Sequence, residues 1–173
     1  MISGGDRTFK NGDVSLKLFL FIMRVVIQRV SEASVTVEQE LISSIEKGLL
    51  LLISFEDEDT GDDLEWASKK ITQLRIFDDH NRVMNLSVKD IEGEILAVSQ
   101  FTLHAKTKKG NRPSYIKAAP PDISIPLYEQ FLETLSSDMG RMIKSGKFGA
   151  HMIVKLIGDG PVTIIIDSKN KDF

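Results

Sequence analysis

Ser99-Gln100-Phe101-Thr102-Leu103 closes the apolar run Ile95-Leu96-Ala97-Val98. Three polar side chains at the end of an apolar strand cost about 1–3 kcal/mol each if buried without partners. Ser99, Gln100 and Thr102 therefore either cap neighbouring backbone or furnish hydrogen bonds in a site for which Phe101 is a wall. A second candidate lies near the C-terminus, where the run Ile153–Ile166 is interrupted by Gly158-Asp159-Gly160-Pro161. Proline cannot donate a ladder hydrogen bond and is excluded from a strand interior. The break is either a plain turn or a device that presents backbone groups to something. Gly146 to Met152 places two glycines and an alanine around Phe148. That permits close backbone approach and suits a tight pocket or a simple strand entry. Lys106, Lys108, Lys109 and Arg112 cluster just after the Ser-Gln-Phe-Thr-Leu segment. Such a run is a solvated loop or, beside a site, a phosphate contact.

Other chemistries find little support. The chain has no cysteine, which excludes disulfides, thiolate catalysis and sulfur-based zinc sites. No Gly-x-Ser-x-Gly elbow occurs. His80, His104 and His151 have neither a catalytic motif nor metal-ligand spacing, and read as surface or satisfied histidines. No metal and no cofactor is expected. The net charge of −3 argues against a non-specific nucleic-acid binder, so any such contact must be local.

These segments need a frame to hold them. Four strand-like stretches come first, Arg24–Val30, Ala33–Val37, Leu41–Ile45 and Gly48–Phe55. Leu49 to Ile53 is continuously apolar, as in a central strand covered on both faces. Thr60-Gly61-Asp62-Asp63 is close to a capping box. Leu64, Ala67, Ile71 and Leu74 then predict an amphipathic helix over Asp62–Phe77. A second helix is predicted from Ser124 to Met139, with Pro126 in its first turn and Leu127, Phe131, Leu135 and Met139 on one face. Glu94–Leu103 reads as a strand pair or one long bent strand, His104–Pro121 as a loop and the C-terminus as a hairpin. The expected class is α+β, a mostly antiparallel, β-barrel-like sheet with two main helices.

Residues 1–22 read as a poorly ordered extension, 23–168 as one domain and 169–173 as a tail. Leu18–Met23 is apolar but far too short to span a bilayer, and it leads into a strand instead of a signal cleavage site. No membrane association is expected. The cytoplasm is the expected location, with organelle targeting by residues 1–22 the alternative.

Ser99-Gln100-Phe101-Thr102-Leu103, Gly160-Pro161-Val162-Thr163 and Phe148-Gly149-Ala150, in this order and spacing, resemble the D-aminoacyl-tRNA deacylases with a Gly-cis-Pro motif. Met23–Val30, Lys47–Leu50, Leu74–Phe77, Met84–Leu86 and Arg112–Ser114 also match, so the resemblance runs from Met23 to about Ser168. It implies a homodimer in which Gly160-Pro161 of one subunit enters the pocket bounded by Ser99–Leu103 of the other. It implies hydrolysis of the ester of D-aminoacyl-tRNA, and of glycyl-tRNA, with L-aminoacyl-tRNA rejected. No protein partner besides a second copy is implied. Ser99, Gln100 and Thr102 would be the catalytic or positioning residues. Substrate would meet Gly160, Pro161, Phe101, Phe148, Gly149, Ala150, Met152 and Arg29, and tRNA would meet Lys106, Lys108, Lys109 and Arg112. Catalysis in the family is assigned to the threonine matching Thr102 or to the 2′-hydroxyl of the substrate's own ribose. The second is favoured here, because no base adjoins Thr102 in the sequence. Gly158 departs from the family's asparagine and removes a side chain from the support of the turn. His104 stands where an aromatic is common. The alternative is an inactive dimeric RNA-binding domain of the same fold. A small-ester or amide hydrolase would need a nucleophile–base pair that the sequence does not offer.

Overall fold

A computed structural model describes residues 23–171; the expectations for residues 1–22 and for the last two residues of the tail lie outside the described residues. Strand β1 (Arg24–Val37) is one continuous strand of 14 residues, where two strands were expected. Ser31 and Glu32, the polar pair that suggested a break, stay in the strand and are exposed, and Glu32 pairs with Ile157 on β8 (Ile153–Asp167). Strand β1 pairs antiparallel with β2 (Glu40–Ile45), β3 (Gly48–Ser54) and β8. Beyond β3 lie β6 (Glu94–Ser99) and then β7 (Lys144–Ser145), both joined in parallel. A separate small hairpin joins β4 (Phe77–Asp78) to β5 (Met84–Leu86).

The main sheet curls until β7 faces β2. Ser43 Oγ donates to the Ser145 carbonyl at 2.6 Å, and Lys144 Nζ donates to the Ser44 carbonyl at 2.8 Å. Side chains thus bridge the seam of a nearly closed barrel, and the expected α+β architecture holds. β3 is its centre. Leu49, Leu50, Leu51 and Ile53 are all essentially inaccessible, as their unbroken apolarity implies. Alternate residues serve two cores: Leu49, Leu51 and Ile53 pack beneath the helices, while Leu50 joins Val30, Val35, Leu96 and Val98 on the other face.

Helices α1 (Gly61–Gln73) and α2 (Pro121–Met139) cover the first core with Leu64, Ile71, Phe131 and Leu135. The α1 cap is as the sequence suggests: the Thr60 amide donates to Asp63 Oδ2 at 3.0 Å. The helix ends at Gln73, short of the expected Phe77, because Leu74 turns to ψ 123° and the Ile76 carbonyl is taken by Arg29. α2 starts three residues earlier than expected, with Pro121 in the first turn, where its missing amide costs nothing, and Pro126 one turn further in. Gly140 ends it at φ 70°. Among the described residues, no helix is long and apolar enough to cross a membrane.

The loop before α1 carries a titrating group. Burial pushes the Asp59 carboxyl up to about 7, and the nearby Asp63 charge adds to this, against a hydrogen bond from the Glu56 amide. An acid that holds its proton longer folded than unfolded makes stability fall as pH rises from the ordinary carboxylate range towards 7. Asp59→Asn keeps an acceptor for the Glu56 amide without that penalty. We expect the variant to melt above the parent at pH 8 and level with it at pH 4. A lower melting temperature at pH 8 would refute this assignment.

Candidate functional site

Strand β6 delivers Ser99 to the end of the barrel, and there the chain stops being a strand. The Gln100 amide donates to the Ile53 carbonyl at 2.6 Å, and residues Phe101–His104 wind into a single 3-10 turn. Side chains pin that turn from several directions. Arg24 Nη1 donates to the Leu103 carbonyl at 2.8 Å, and Ser54 Oγ lies 2.7 Å from His104 Nδ1. His104 Nε2 is 3.7 Å from Glu56 Oε1. His104 is thus a buried, satisfied histidine, while His80 and His151 are exposed. Its imidazole fixes the turn where an apolar aromatic would merely fill space.

Below the turn lies a cavity of about 270 Å³. It brings together Ser99, Gln100, Phe101, Phe148, Gly149, Ala150 and Met152, segments about 50 positions apart in the chain. Phe148 is held by Tyr128, whose ring centroid lies 5.6 Å away. The Tyr128 hydroxyl donates to the Ala97 carbonyl at 2.9 Å, and burial pushes its pKa well up, so it stays a neutral donor. Gly149 adopts φ +73°, a conformation that favours glycine, and a Cβ there would meet nothing within 4 Å. Residues not foreseen also line the cavity: Ile53, Ser54, Phe55, Val98, Ala119, Ser124, His151 and Val154. Ser124 lies in the first turn of α2, and Ala119 just before that helix begins.

Thr102 sits beside this cavity, not in its wall. Its Oγ1 accepts a hydrogen bond from Gln100 Nε2 at 2.6 Å. A neutral amide N–H cannot take the threonine proton, and donating to the oxygen lowers its nucleophilicity. The basic cluster is organised as well. Lys106 and Ser114 exchange backbone hydrogen bonds of 2.8 and 3.1 Å, closing residues 107–113 into an exposed arm that carries Lys108, Lys109 and Arg112.

Arg29, Gly160 and Pro161 form a second locus outside the cavity wall. The expected C-terminal hairpin is absent: β8 continues past the Gly-Pro site as one strand of 15 residues. Gln28 pairs with Thr163 and Val30 with Gly158, so residues 159–162 bulge out opposite Arg29 alone. The Gly160-Pro161 bond is cis and Gly160 has φ +131°. Arg29, nearly buried, supports the bulge from below. Its Nε donates to the Asp159 carbonyl at 2.9 Å, and its Nη1 donates to the Ile76 carbonyl at 2.6 Å. The Asp159 and Asp78 carboxylates lie 3.3 and 3.8 Å from the guanidinium. Gly158 contributes no side chain to the bulge, which Arg29 holds instead. The product is an exposed loop of backbone, braced by Arg29, on a strand whose outer face also exposes Ile153 and Ile157.

Known proteins align with this arrangement. The family model described as D-Tyr-tRNA(Tyr) deacylase matches residues 26–167. A D-aminoacyl-tRNA deacylase of Flavobacterium psychrophilum is 62% identical over 150 residues, spanning 87% of this chain and all of the relative. One from Bacteroides fragilis is 61% identical over the same extent. Among solved structures, a c-Myc DNA unwinding element binding protein superposes with a TM-score of 0.79 at 44% identity, over 83% of this chain and 97% of that one.

Proposed function

The chain belongs to the D-Tyr-tRNA(Tyr) deacylase family, and from that premise we propose that it hydrolyses the ester of D-aminoacyl-tRNA while sparing L-aminoacyl-tRNA. It is a hydrolase that recycles mischarged tRNA. The observation that carries the reading is the pairing of a cavity walled by Ser99–Phe101 and Phe148–Ala150 with an exposed backbone bulge at Gly160-Pro161.

In this reading the terminal adenosine and its amino acid occupy the cavity. Water adds to the ester carbonyl carbon, the bond to the ribose 3′-oxygen breaks, and that oxygen leaves with a proton. The ribose 2′-hydroxyl, beside the ester, assists the proton transfer. The protein contributes position and backbone hydrogen bonds. Gln100 holds Thr102 as an orienting hydroxyl. Lys106, Lys108, Lys109 and Arg112 meet the tRNA backbone.

Gly160-Pro161 acts on the cavity of a second copy. The bulge is exposed in its own chain, and the exposed Ile153 and Ile157 on the same strand suit a self-complementary contact. Inserted at the α-carbon, a rigid stretch of backbone overlaps an L side chain and leaves a D side chain directed to solvent. Each 1.4 kcal/mol of such overlap is about tenfold in rate.

The test is release of tyrosine from D-tyrosyl- and L-tyrosyl-tRNA. Rapid release from the D form alone supports the reading. Equal rates, or none, would leave a non-chiral esterase or an inactive RNA-binding domain. Thr102→Ala separates the two chemistries. Losing one hydrogen bond of about 0.5–1.5 kcal/mol should lower kcat no more than about tenfold. A fall on the order of 10⁴ or more would assign Thr102 the nucleophile's role.

A further inference from the structure

We infer that the Phe101–Tyr115 ring pair and the cationic arm beside it form a stacking platform for the nucleotides that precede the terminal adenosine in the single-stranded 3′ end of tRNA. The inference rests on the aminoacyl-tRNA reading of the cavity and extends the site beyond it.

Phe101 lines the cavity and is also 55% exposed, so it stands at the mouth. Tyr115 meets it edge to face, with centroids 5.0 Å apart and planes at 78°. Tyr115 is itself 38% exposed. A packed pair of aromatic rings open to water at the rim of a site offers apolar faces that the protein itself does not cover. The platform is fixed: Phe101 belongs to the pinned 3-10 turn, and Tyr115 comes directly after the Lys106–Ser114 bridge that closes the arm.

Charge identifies the occupant. Between Ala105 and Ala119 the chain carries five cations and no carboxylate, although its net charge is −3. Rings interleaved with lysines and arginine suit bases alternating with phosphates, as on platforms that bind single strands. A strand leaving the cavity at Phe101 would next pass Tyr115 and then Lys108, Lys109 and Arg112. Stacking uses the face of a ring and not a hydroxyl, so Tyr115→Phe should be tolerated and Tyr115→Ala should not.

Two measurements decide it. The first is binding of uncharged tRNA, intact or trimmed of its single-stranded 3′ end, at one fixed salt concentration. Tyr115→Ala should weaken binding of intact tRNA about tenfold, within the range for one stacked base. It should leave trimmed tRNA unaffected, and Tyr115→Phe should bind like the parent. The second compares kcat/KM on D-tyrosyl-tRNA with that on the D-tyrosyl ester of adenosine, which lacks the preceding nucleotides. The loss should appear on tRNA alone, and chiefly in KM. Equal losses on both esters would mean that Tyr115 only braces Phe101 and would overturn the platform, as would unchanged binding of intact tRNA. If the parent cleaves neither ester, the deacylase reading fails, and the binding comparison still decides the platform.

Discussion

Gly160→Ala should lower kcat/KM on D-tyrosyl-tRNA by about a hundredfold or more and leave the protein folded. At φ +131° a side chain is strained wherever it points. A Cβ would lie 2.9 Å from both the Val162 amide nitrogen and its Cγ2, and 3.1 Å from Arg29 Nη2. The Arg29 side chain can give, but the Val162 backbone cannot do so without moving the bulge. Displacing a positioning group by about 1 Å can cost on the order of 10² in rate. The damage should stay local, because the bulge is exposed and paired ladder resumes at Gly158 and Thr163. Kinetics on D-tyrosyl-tRNA, with a thermal melt and sizing of the variant, check this. A folded variant with full D-specific activity would reduce the bulge to a turn.

Arg29→Met carries the second large effect, and its first readout is stability. The nearly buried guanidinium donates to the Asp159 and Ile76 carbonyls, which come from β8 and from the segment just after α1. Hydrogen bonds from a charged donor contribute about 1.5–3 kcal/mol. The half-exposed Asp78 and Asp159 carboxylates add little, because solvent screens them. For two such bonds, at roughly 2–4 °C per kcal/mol, the melting temperature should fall by about 6–24 °C. Activity should fall further than stability explains, because the bulge loses its base. Arg29→Lys should not rescue, since an ammonium cannot serve two carbonyls with the fixed geometry of Nε and Nη1. A lysine variant matching the parent in melting and rate would refute the bracing role.

Local signals were easier to read in the sequence than the boundaries of the elements. Leu49–Ile53 and the Thr60–Asp63 cap were readable because each signal is local. So were the segments Ser99–Phe101 and Phe148–Ala150, whose meeting in one cavity nonetheless required the fold. The end of α1 was not readable: Leu74 and Ile76 continue the apolar stripe, and the group that takes the Ile76 carbonyl is an arginine 47 positions earlier. The pair Ser31-Glu32 looked like a strand break because the pairing partner of Glu32, Ile157, lies at the far end of the chain. Gly160-Pro161 likewise announced an interruption but not its form. Only β1 pairing on both sides of it turns an expected hairpin into a bulge over Arg29. Ser54 and Glu56 left no signal, and nothing in the context of His104 marked either as its neighbour.

In the proposed mechanism, backbone at the α-carbon rejects by overlap, whatever the identity of the side chain. Glycine and L-alanine differ there by one methyl group, so hydrolysis of glycyl-tRNA and L-alanyl-tRNA, charged on the same tRNA, isolates that overlap. Rejection by overlap requires glycyl-tRNA to be cleaved and L-alanyl-tRNA to be at least about a hundredfold slower, a difference of about 2.7 kcal/mol. Comparable rates on the two would contradict it.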